Sequence, residues 1–133
     1  MFYEFERGTK VWNKDTRDTF WIGKVGLIYP SDYGYATSGS SKISRYTCLN
    51  TELYAWDKVS DCYTNNWIYN VQRIQWTITP QTGSIDGVFR IENGNIENAG
   101  AWGGHGVHPV VFLKNDIKIL SGDGSECNQY KLV

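Results

Sequence analysis

The chain has 133 residues, of which 13 are basic and 14 are acidic, and its formal net charge is −1. This length fits one domain with its own hydrophobic core, so we expect residues 1–133 to form a single domain, and six Trp and nine Tyr favour a β-rich fold. The lack of a Lys or Arg cluster argues against nucleic-acid binding, and the longest apolar run, residues 110–113, is too short for membrane insertion.

The predicted elements start with two short strands at residues 9–12 and 19–22, where β-branched or aromatic residues alternate with polar ones. A third strand is expected at residues 24–29. The Pro-Ser-Asp-Tyr sequence that follows is typical of a helix start. We therefore expect a short helix with Ser31 as its N-cap, ending near Gly39.

A second short helix is predicted where the apolar residues 49, 53 and 56 follow a helical spacing. Cys48 and Cys62 bracket a polar segment, and a disulfide between them would close a loop of about fifteen residues and contribute about 3 kcal/mol to stability. The alternative is a pair of half-buried free thiols. Cys127 is left over in either case and is expected to be an exposed or packed thiol.

The next predicted elements are strands at residues 67–69 and 75–79, separated by a turn and ended by Pro80. Residues 88–91 and 95–98 then flank Asn93-Gly94, a pair of residues that is typical of a tight hairpin turn. The sequence therefore predicts a β-hairpin in this region.

Four glycines among residues 100–106 predict a loop, because glycine raises the entropic cost of a regular element. Closing strands are expected at residues 107–113, 117–120 and 130–132. Together the elements predict one α+β domain, with a mixed but mostly antiparallel sheet and two short helices.

Four blocks of sequence carry a resemblance to a known family: GKVGLIYPSDYGYA at residues 23–36, NWIY at 66–69, QWTITP at 75–80 and GVHPVVFLK at 106–114. Together they resemble a domain that recurs in surface and pilin-like proteins of gut Firmicutes. That family in turn is similar to the sulfatase-modifying-factor branch of C-type-lectin-like folds. The resemblance implies a C-type-lectin-like fold that displays variable binding loops on a rigid β scaffold. His108 departs from the family, which typically has Arg at that position.

Motifs for metal binding or catalysis are weak. His105 and His108 lack the paired ligands of a structural zinc site, and Asp123 has too few acidic neighbours for calcium. The related formylglycine-generating enzymes use a closely spaced cysteine pair near the end of the chain, where this sequence has Cys127 alone. Glu92 and Glu97 are more typical of surface charges than of a glycosidase pair. We therefore expect no enzyme activity, no metal and no cofactor.

Polar and aromatic residues on the hairpin and the glycine-rich loop, residues 81–106, are the best candidates for a binding surface. Trp102, flanked by small residues, is the strongest candidate for an exposed anchor, with inward packing as the alternative. The tryptophans at positions 12, 21, 56, 67 and 76 are expected in or near the core. The predicted ligand-binding residues are Arg90, Asn93, Asn95, Glu97, Asn98, Trp102 and His105.

The sequence and the resemblance together predict a non-catalytic, adhesin-like recognition module that binds a glycan or a surface protein through residues 81–106. The alternatives are a structural subunit of a pilus or surface layer and, more remotely, an enzyme of the formylglycine-generating type. The cysteines favour an extracellular or bacterial cell-surface location. The first residues do not form a signal peptide, so a signal or anchor is expected outside this sequence unless the protein is cytosolic.

Overall fold

The computed structural model describes residues 23–81, 83–123 and 127–133, so the strands predicted at residues 9–12 and 19–22 lie outside the described residues. The N-terminal part of the described chain is mainly helical and the C-terminal part consists of strands. The elements are β1 (Gly26–Leu27), α1 (Pro30–Tyr35), α2 (Arg45–Asn50), a 3-10 helix (Leu53–Lys58), α3 (Ser60–Tyr63), β2 (Gln75–Pro80), β3 (Gly87–Glu92), β4 (Asn95–Gly100), β5 (Gly106–Val107), β6 (Pro109–Val110), β7 (Ile119–Ser121) and β8 (Lys131–Leu132).

A four-stranded sheet with the strand order β4-β3-β2-β5 forms the centre of the fold. The β2–β3 and β3–β4 pairs are antiparallel, and β2–β5 is parallel. Two smaller antiparallel pairs, β1–β6 and β7–β8, lie outside this sheet. The predicted α+β class with mostly antiparallel strands is confirmed, although the described residues contain three short α-helices and a 3-10 helix instead of two helices.

Helix α1 begins two residues earlier than predicted. Tyr29 is its N-cap and Pro30 occupies the first helical position, where the fixed φ of proline fits and its missing N–H is not needed. Asp32 completes the helix start, because its carboxylate accepts a 2.9 Å hydrogen bond from the Tyr29 N–H. Ser31 is therefore a buried helical residue and not the cap. The helix ends at Tyr35, before Gly39, which has a φ of +69°.

The single helix predicted around residues 49–56 is divided in two. Thr51 and Glu52 have extended backbones, so the chain leaves α2 and starts again as the 3-10 helix. Helix α3 then forms at Ser60–Tyr63, where the sequence predicted no regular element. The predicted disulfide between Cys48 and Cys62 is confirmed and joins α2 to α3, whereas Cys127 is an exposed free thiol.

Residues 67–69 form a turn and not the predicted strand. The cause is Asn66, a buried residue whose Oδ1 accepts a 2.9 Å hydrogen bond from the Ile68 N–H, as in an Asx turn. Its Nδ2 also donates to the Tyr33 carbonyl at 2.5 Å. The turn leaves Trp67 77% exposed, so its predicted place in the core is wrong. Trp56 is buried and Trp76 half-buried as predicted, and Trp12 and Trp21 lie outside the described residues.

The hydrophobic core lies between the helical segments and one end of the sheet. Trp56 and Tyr33 are fully buried, with ring centroids 5.6 Å apart, and they pack with Ile91 of β3 and Ile96 of β4. Burial of each such isoleucine contributes about 2 kcal/mol. The disulfide lies in the same core, since Cys48 and Cys62 are both fully buried.

The predicted hairpin is confirmed, and its turn is built as Asn-Gly turns require. Asn93 and Gly94 have φ values of +50° and +84° and connect β3 directly to β4. The turn packs inward: Gly94 is buried, its carbonyl accepts a 3.3 Å hydrogen bond from the Tyr33 hydroxyl, and the Tyr63 ring lies against its α-carbon. One end of the hairpin is therefore part of the core.

The last third of the chain is less regular than predicted. The long strand expected at residues 107–113 is reduced to the two-residue strands β5 and β6, and β7 with β8 forms a separate hairpin. The predicted glycine-rich loop is shortened to residues 101–105, because Gly100 belongs to β4 and Gly106 to β5. No helix within residues 23–81, 83–123 and 127–133 has the length and apolarity needed to cross a membrane.

Candidate functional site

The register of the central sheet divides the predicted ligand-binding residues between its two faces. Residues directly opposite each other in neighbouring strands lie on the same face. Arg90 is opposite both Glu97 and Trp76, which places these three residues on what we call the first face. Phe89 is opposite Asn98, and this pair lies on the second face.

On the first face, Arg90 is held by three neighbours. Its Nη2 contacts the Glu92 carboxylate directly and lies 3.9 Å from Glu97 Oε2. Its Nη1 lies 3.2 Å from His105 Nε2, and because a guanidinium can only donate, Nε2 must accept and the imidazole proton is on Nδ1. The His105 ring also stacks on Trp76, with centroids 4.5 Å apart. The one positive charge of Arg90 is therefore shared by two carboxylates, with Glu92 in direct contact and Glu97 further away and more exposed.

The second face carries the most exposed aromatic residue of the predicted set. Trp102 is 87% exposed, and its ring lies against the backbone of Gly100, in the space that a Cβ at Gly100 would need. Gly100 follows Asn98 by two residues in β4, so the Trp102 ring and the Asn98 side chain are on the same face. Of the two alternatives for Trp102, the ring is therefore exposed and does not pack inward.

Two aromatic side chains extend this surface. Phe89 lies opposite Asn98 and makes an edge-on contact with Tyr54 of the 3-10 helix, with ring centroids 6.4 Å apart. Partial burial, and secondarily the negative charge of Glu97, raise the pKa of the Tyr54 phenol, so it stays a neutral hydrogen-bond donor at physiological pH. We call the set Tyr54, Phe89, Asn98 and Trp102 the Trp102 patch.

Among the described residues, the helical segments cover only part of the second face. Near the hairpin turn, Ile91 and Ile96 are buried beneath these segments. Further along the same strands, Phe89 is half-buried and Asn98 is exposed. The face thus changes from core to surface within one hairpin, and the patch occupies the surface end.

Asn95 belongs to the structure and not to an exposed binding surface, which corrects the sequence-based prediction. Its side chain is 7% exposed, and its Oδ1 accepts a 2.6 Å hydrogen bond from the Asp57 N–H. This bond ties β4 to the 3-10 helix. Asn93 is exposed, but it lies in the hairpin turn, at the opposite end of β4 from Trp102.

His105 and His108 do not converge on one site. The two residues lie on opposite faces of the sheet, and the Nδ1 of His108 contacts the side-chain oxygen of the buried Gln75. Within the described residues, no three His, Cys, Asp or Glu side chains are grouped so that they could hold a metal ion.

A shallow apolar pocket of about 380 Å³ lies elsewhere, beside the β1–β6 pair. Its lining lacks the convergent polar groups that give a small-molecule site its specificity, and it includes none of the predicted residues. The lining residues are Val25, Gly26, Leu27, Ile78 and Pro109.

Sequence reasoning missed Tyr54 and Phe89 as members of the surface. Their contact joins residues 35 positions apart in the sequence. It depends on where the 3-10 helix is placed relative to the sheet, which no local sequence pattern predicts. The role of Gly100 was also missed, because a glycine in a glycine-rich stretch looks like a loop residue. Its position two residues after Asn98 and two before Trp102 was the available signal.

No family model, no curated protein and no solved structure matches this chain. The functional interpretation therefore depends on the residues themselves. The Trp102 patch offers an indole ring, two further aromatic rings and an amide that both donates and accepts hydrogen bonds, which is a composition suited to binding.

Proposed function

We propose that this protein is a non-catalytic, adhesin-like recognition module that binds a glycan or a surface protein through the Trp102 patch. The observation that carries the proposal is the position of Trp102: its ring is 87% exposed, yet it is seated on Gly100 beside Asn98. Exposed apolar groups that are held in place next to polar groups are typical of binding surfaces.

The chemistry of the patch supports recognition by contact. An indole ring contributes a large apolar area at a small cost in side-chain entropy, and tryptophan is enriched among the residues that dominate binding energy. The Asn98 amide, on the same face, and the hydroxyl of Tyr54, whose ring contacts Phe89, supply directional hydrogen bonds to the patch. Because both lie on regular elements, the polar groups are presented by a rigid frame.

We also propose a C-type-lectin-like frame and an extracellular or cell-surface location. The α+β architecture, with its mostly antiparallel sheet, is compatible with such a frame. The buried Cys48–Cys62 disulfide supports the location, because structural disulfides persist mainly in oxidising compartments.

The test is a screen of glycan arrays and bacterial and host surface-protein panels, followed by titration of any hit with variants of the patch. Trp102→Ala should weaken binding by about thirtyfold, the effect of removing a hot-spot side chain. Gly100→Ala should weaken it by about tenfold, because the new methyl group displaces the Trp102 ring while leaving the ring itself intact.

Gly104→Ala is the matched control, since it adds the same methyl group to the same loop where no heavy atom lies within 4 Å. We expect this variant to bind like the parent, and we expect all three to melt within a few degrees of it, because Trp102 and Gly104 are exposed and the ring that Gly100→Ala displaces is an exposed one. Unchanged affinity of Trp102→Ala for every hit would refute the proposal.

A structural subunit of a pilus or surface layer is the second candidate function. It is favoured by the apolar residues of the last third of the chain, where Phe112 is 87% exposed and Leu120 and Val133 are each 69% exposed. Apolar side chains exposed in this number are typical of protein–protein interfaces.

A further inference from the structure

The outer edge of β4 presents backbone hydrogen-bonding groups that no described residue bonds to. β4 is the terminal strand of the four-stranded sheet, so it is paired with β3 on one side alone among the described residues. In an antiparallel pair, residues alternate between those bonded to the partner strand and those whose N–H and C=O point away from it. The tight turn identifies which residues of β4 point outward.

Glu92 and Asn95 flank the two-residue turn and form the first hydrogen-bonded pair of the hairpin. Alternation then makes Arg90–Glu97 a bonded pair and directs the N–H and C=O of Asn98 outward. Two other contacts agree with this assignment. The Phe89 carbonyl accepts a 2.8 Å hydrogen bond from Thr77 of β2, so it points away from Asn98, and the Ala101 N–H donates to the Asp86 carbonyl at 2.8 Å.

No group in residues 23–81, 83–123 and 127–133 bonds to the backbone N–H or C=O of Asn98. The same holds for the outward N–H of Gly100, whose carbonyl accepts a long 3.4 Å bond from Gly103. At the other end of the strand, the Asn95–Asp57 hydrogen bond ties the edge to the 3-10 helix. Ile96, the next outward-facing residue toward the turn, is fully buried, so the open edge is confined to residues 97–100, next to Trp102.

With Glu97 as its one charged residue, the open part of β4 has few of the features that normally protect an edge strand. It contains no proline or lysine, and its register with β3 continues through six residue pairs without a bulge. A strand of this kind is a template for the addition of another strand, in which main-chain hydrogen bonds give affinity and side chains give specificity.

We propose that the ligand of the Trp102 patch is an extended polypeptide segment of a partner protein, added as a strand to the outer edge of β4 at residues 97–100. This inference rests on the proposed recognition function and names its ligand class. The segment's side chain opposite Asn98 lies on the second face beside the Trp102 ring, which selects an apolar or aromatic residue. The side chain opposite Glu97 lies on the first face, where the 42% exposed carboxylate selects Lys or Arg.

The probe is an immobilised library of short peptides that alternate polar and apolar residues, screened with the intact protein. Asn98→Pro removes the outward N–H and places a ring on the edge, at a position where proline leaves the β3–β4 bonds intact. We expect it to weaken binding of the retained peptides at least tenfold. Asn98→Thr also removes the amide but keeps the N–H, and we expect it to weaken binding by only about threefold, so the further loss in Asn98→Pro measures the contact made by the backbone N–H. Failure of the library to yield any peptide, or equal binding by Asn98→Pro and the parent, would overturn the proposal.

A second measurement changes the peptide and leaves the protein unaltered, so it does not depend on folding of the proline variant. Two versions of a retained peptide are compared, one N-methylated at its odd positions and one at its even positions. One version should lose binding and the other should keep it, because only every second peptide N–H faces β4. Equal loss of affinity in the two N-methylated peptides would contradict strand addition.

The outcomes separate the two proposals. Trp102-dependent binding of a glycan, with no peptide retained, would overturn strand addition and leave the recognition function standing. If no glycan, protein or peptide binds in a way that depends on Trp102, both proposals are overturned. Self-association that Asn98→Pro abolishes would identify a second copy of the chain as the occupant and would also contradict the proposal.

Discussion

Tyr33 connects three parts of the molecule through one side chain. Its ring packs on Trp56, and its hydroxyl donates to the Gly94 carbonyl at the end of the hairpin. Burial, together with the nearby phenols of Tyr69 and Tyr63, raises the pKa of Tyr33 well above its ordinary value of 10.0. The folded protein therefore holds this proton more tightly than the unfolded chain does.

The raised pKa predicts the direction of alkaline unfolding. Stability from the neutral phenol is fully present below pH 10, the unfolded value, and it is lost as the pH rises toward the folded value. Tyr33→Phe should cost about 1 kcal/mol at neutral pH through the lost hydrogen bond, and it should make the loss of stability above pH 10 less steep.

Urea unfolding of the parent and Tyr33→Phe on both sides of pH 10 measures this effect. Tyr35→Phe, which changes an exposed phenol in the same helix, controls for the loss of a tyrosine. If the parent and Tyr33→Phe lose stability equally above this pH, Tyr33 does not control alkaline unfolding.

Gly94 and Gly83 form a matched pair for separating backbone strain from packing. Both have positive φ, +84° and +78°, but a Cβ at Gly94 would enter the Tyr63 ring, whereas a Cβ at Gly83 meets nothing within 4 Å. Gly83→Ala should cost about 1 kcal/mol through strain alone, and Gly94→Ala should cost about 3 kcal/mol because overpacking is added. Urea unfolding measures both variants. Equal free energies of unfolding would show that contact with the Tyr63 ring adds nothing to the cost of Gly94→Ala.

At the scale of elements, the helical segments depend on their neighbours. Helices α2 and α3 have six and four residues, too few for either to be stable alone in water. Each is fixed by the core and by the Cys48–Cys62 disulfide between them. The covalent link therefore stabilises the helical segments as a unit.

The double variant Cys48→Ala, Cys62→Ala should lose about 3 kcal/mol of stability, because the disulfide no longer restricts the unfolded chain. Chemical denaturation measures the loss, and intact mass before and after reduction verifies the bond in the parent. Cys127→Ala, at an exposed thiol, should stay within about 0.5 kcal/mol of the parent. A double variant as stable as the parent would disprove the structural role of the bond.

The elements that the sequence predicted correctly are those governed by local signals. Asn93-Gly94 specifies its hairpin turn through its own backbone preferences, and β2 follows from β-branched and aromatic residues. The strand predicted at residues 67–69 failed because the buried Asn66 forms hydrogen bonds to Tyr33 and Ile68, and one of these partners is distant in sequence. The helix break at Thr51 was likewise not predicted, because it depends on the burial of both Cys48 and Trp56 in the same core.

At the scale of the whole molecule, the sequence predicted which region is displayed but not which residues share a surface. Arg90, Glu97 and His105 were grouped with Asn98 and Trp102, yet strand alternation sends the two groups to opposite faces. Alternation within the predicted strand 95–98 already separates Glu97 from Asn98, but only the pairing of β3 with β4 shows that Arg90 shares the face of Glu97.

The state of association distinguishes the two candidate functions. A recognition module should sediment as a monomer at all concentrations when no ligand is present. A pilus or surface-layer subunit should assemble as its concentration rises, through apolar residues such as Phe112 and Leu120. Sedimentation velocity over a wide concentration range distinguishes these two outcomes. Assembly of the parent that the Phe112→Ser variant no longer shows would favour the structural subunit over the recognition module.

The contrast between the two ends of the hairpin has a practical consequence for protein engineering. The turn at Asn93-Gly94 is enclosed by tyrosines, so lengthening or randomising it would disrupt folding. Residues 101–105 connect β4 to β5 at the surface, and Gly104 has free space around it. Selection libraries for new binding specificities should therefore vary the connection that carries Trp102 and keep the opposite turn constant.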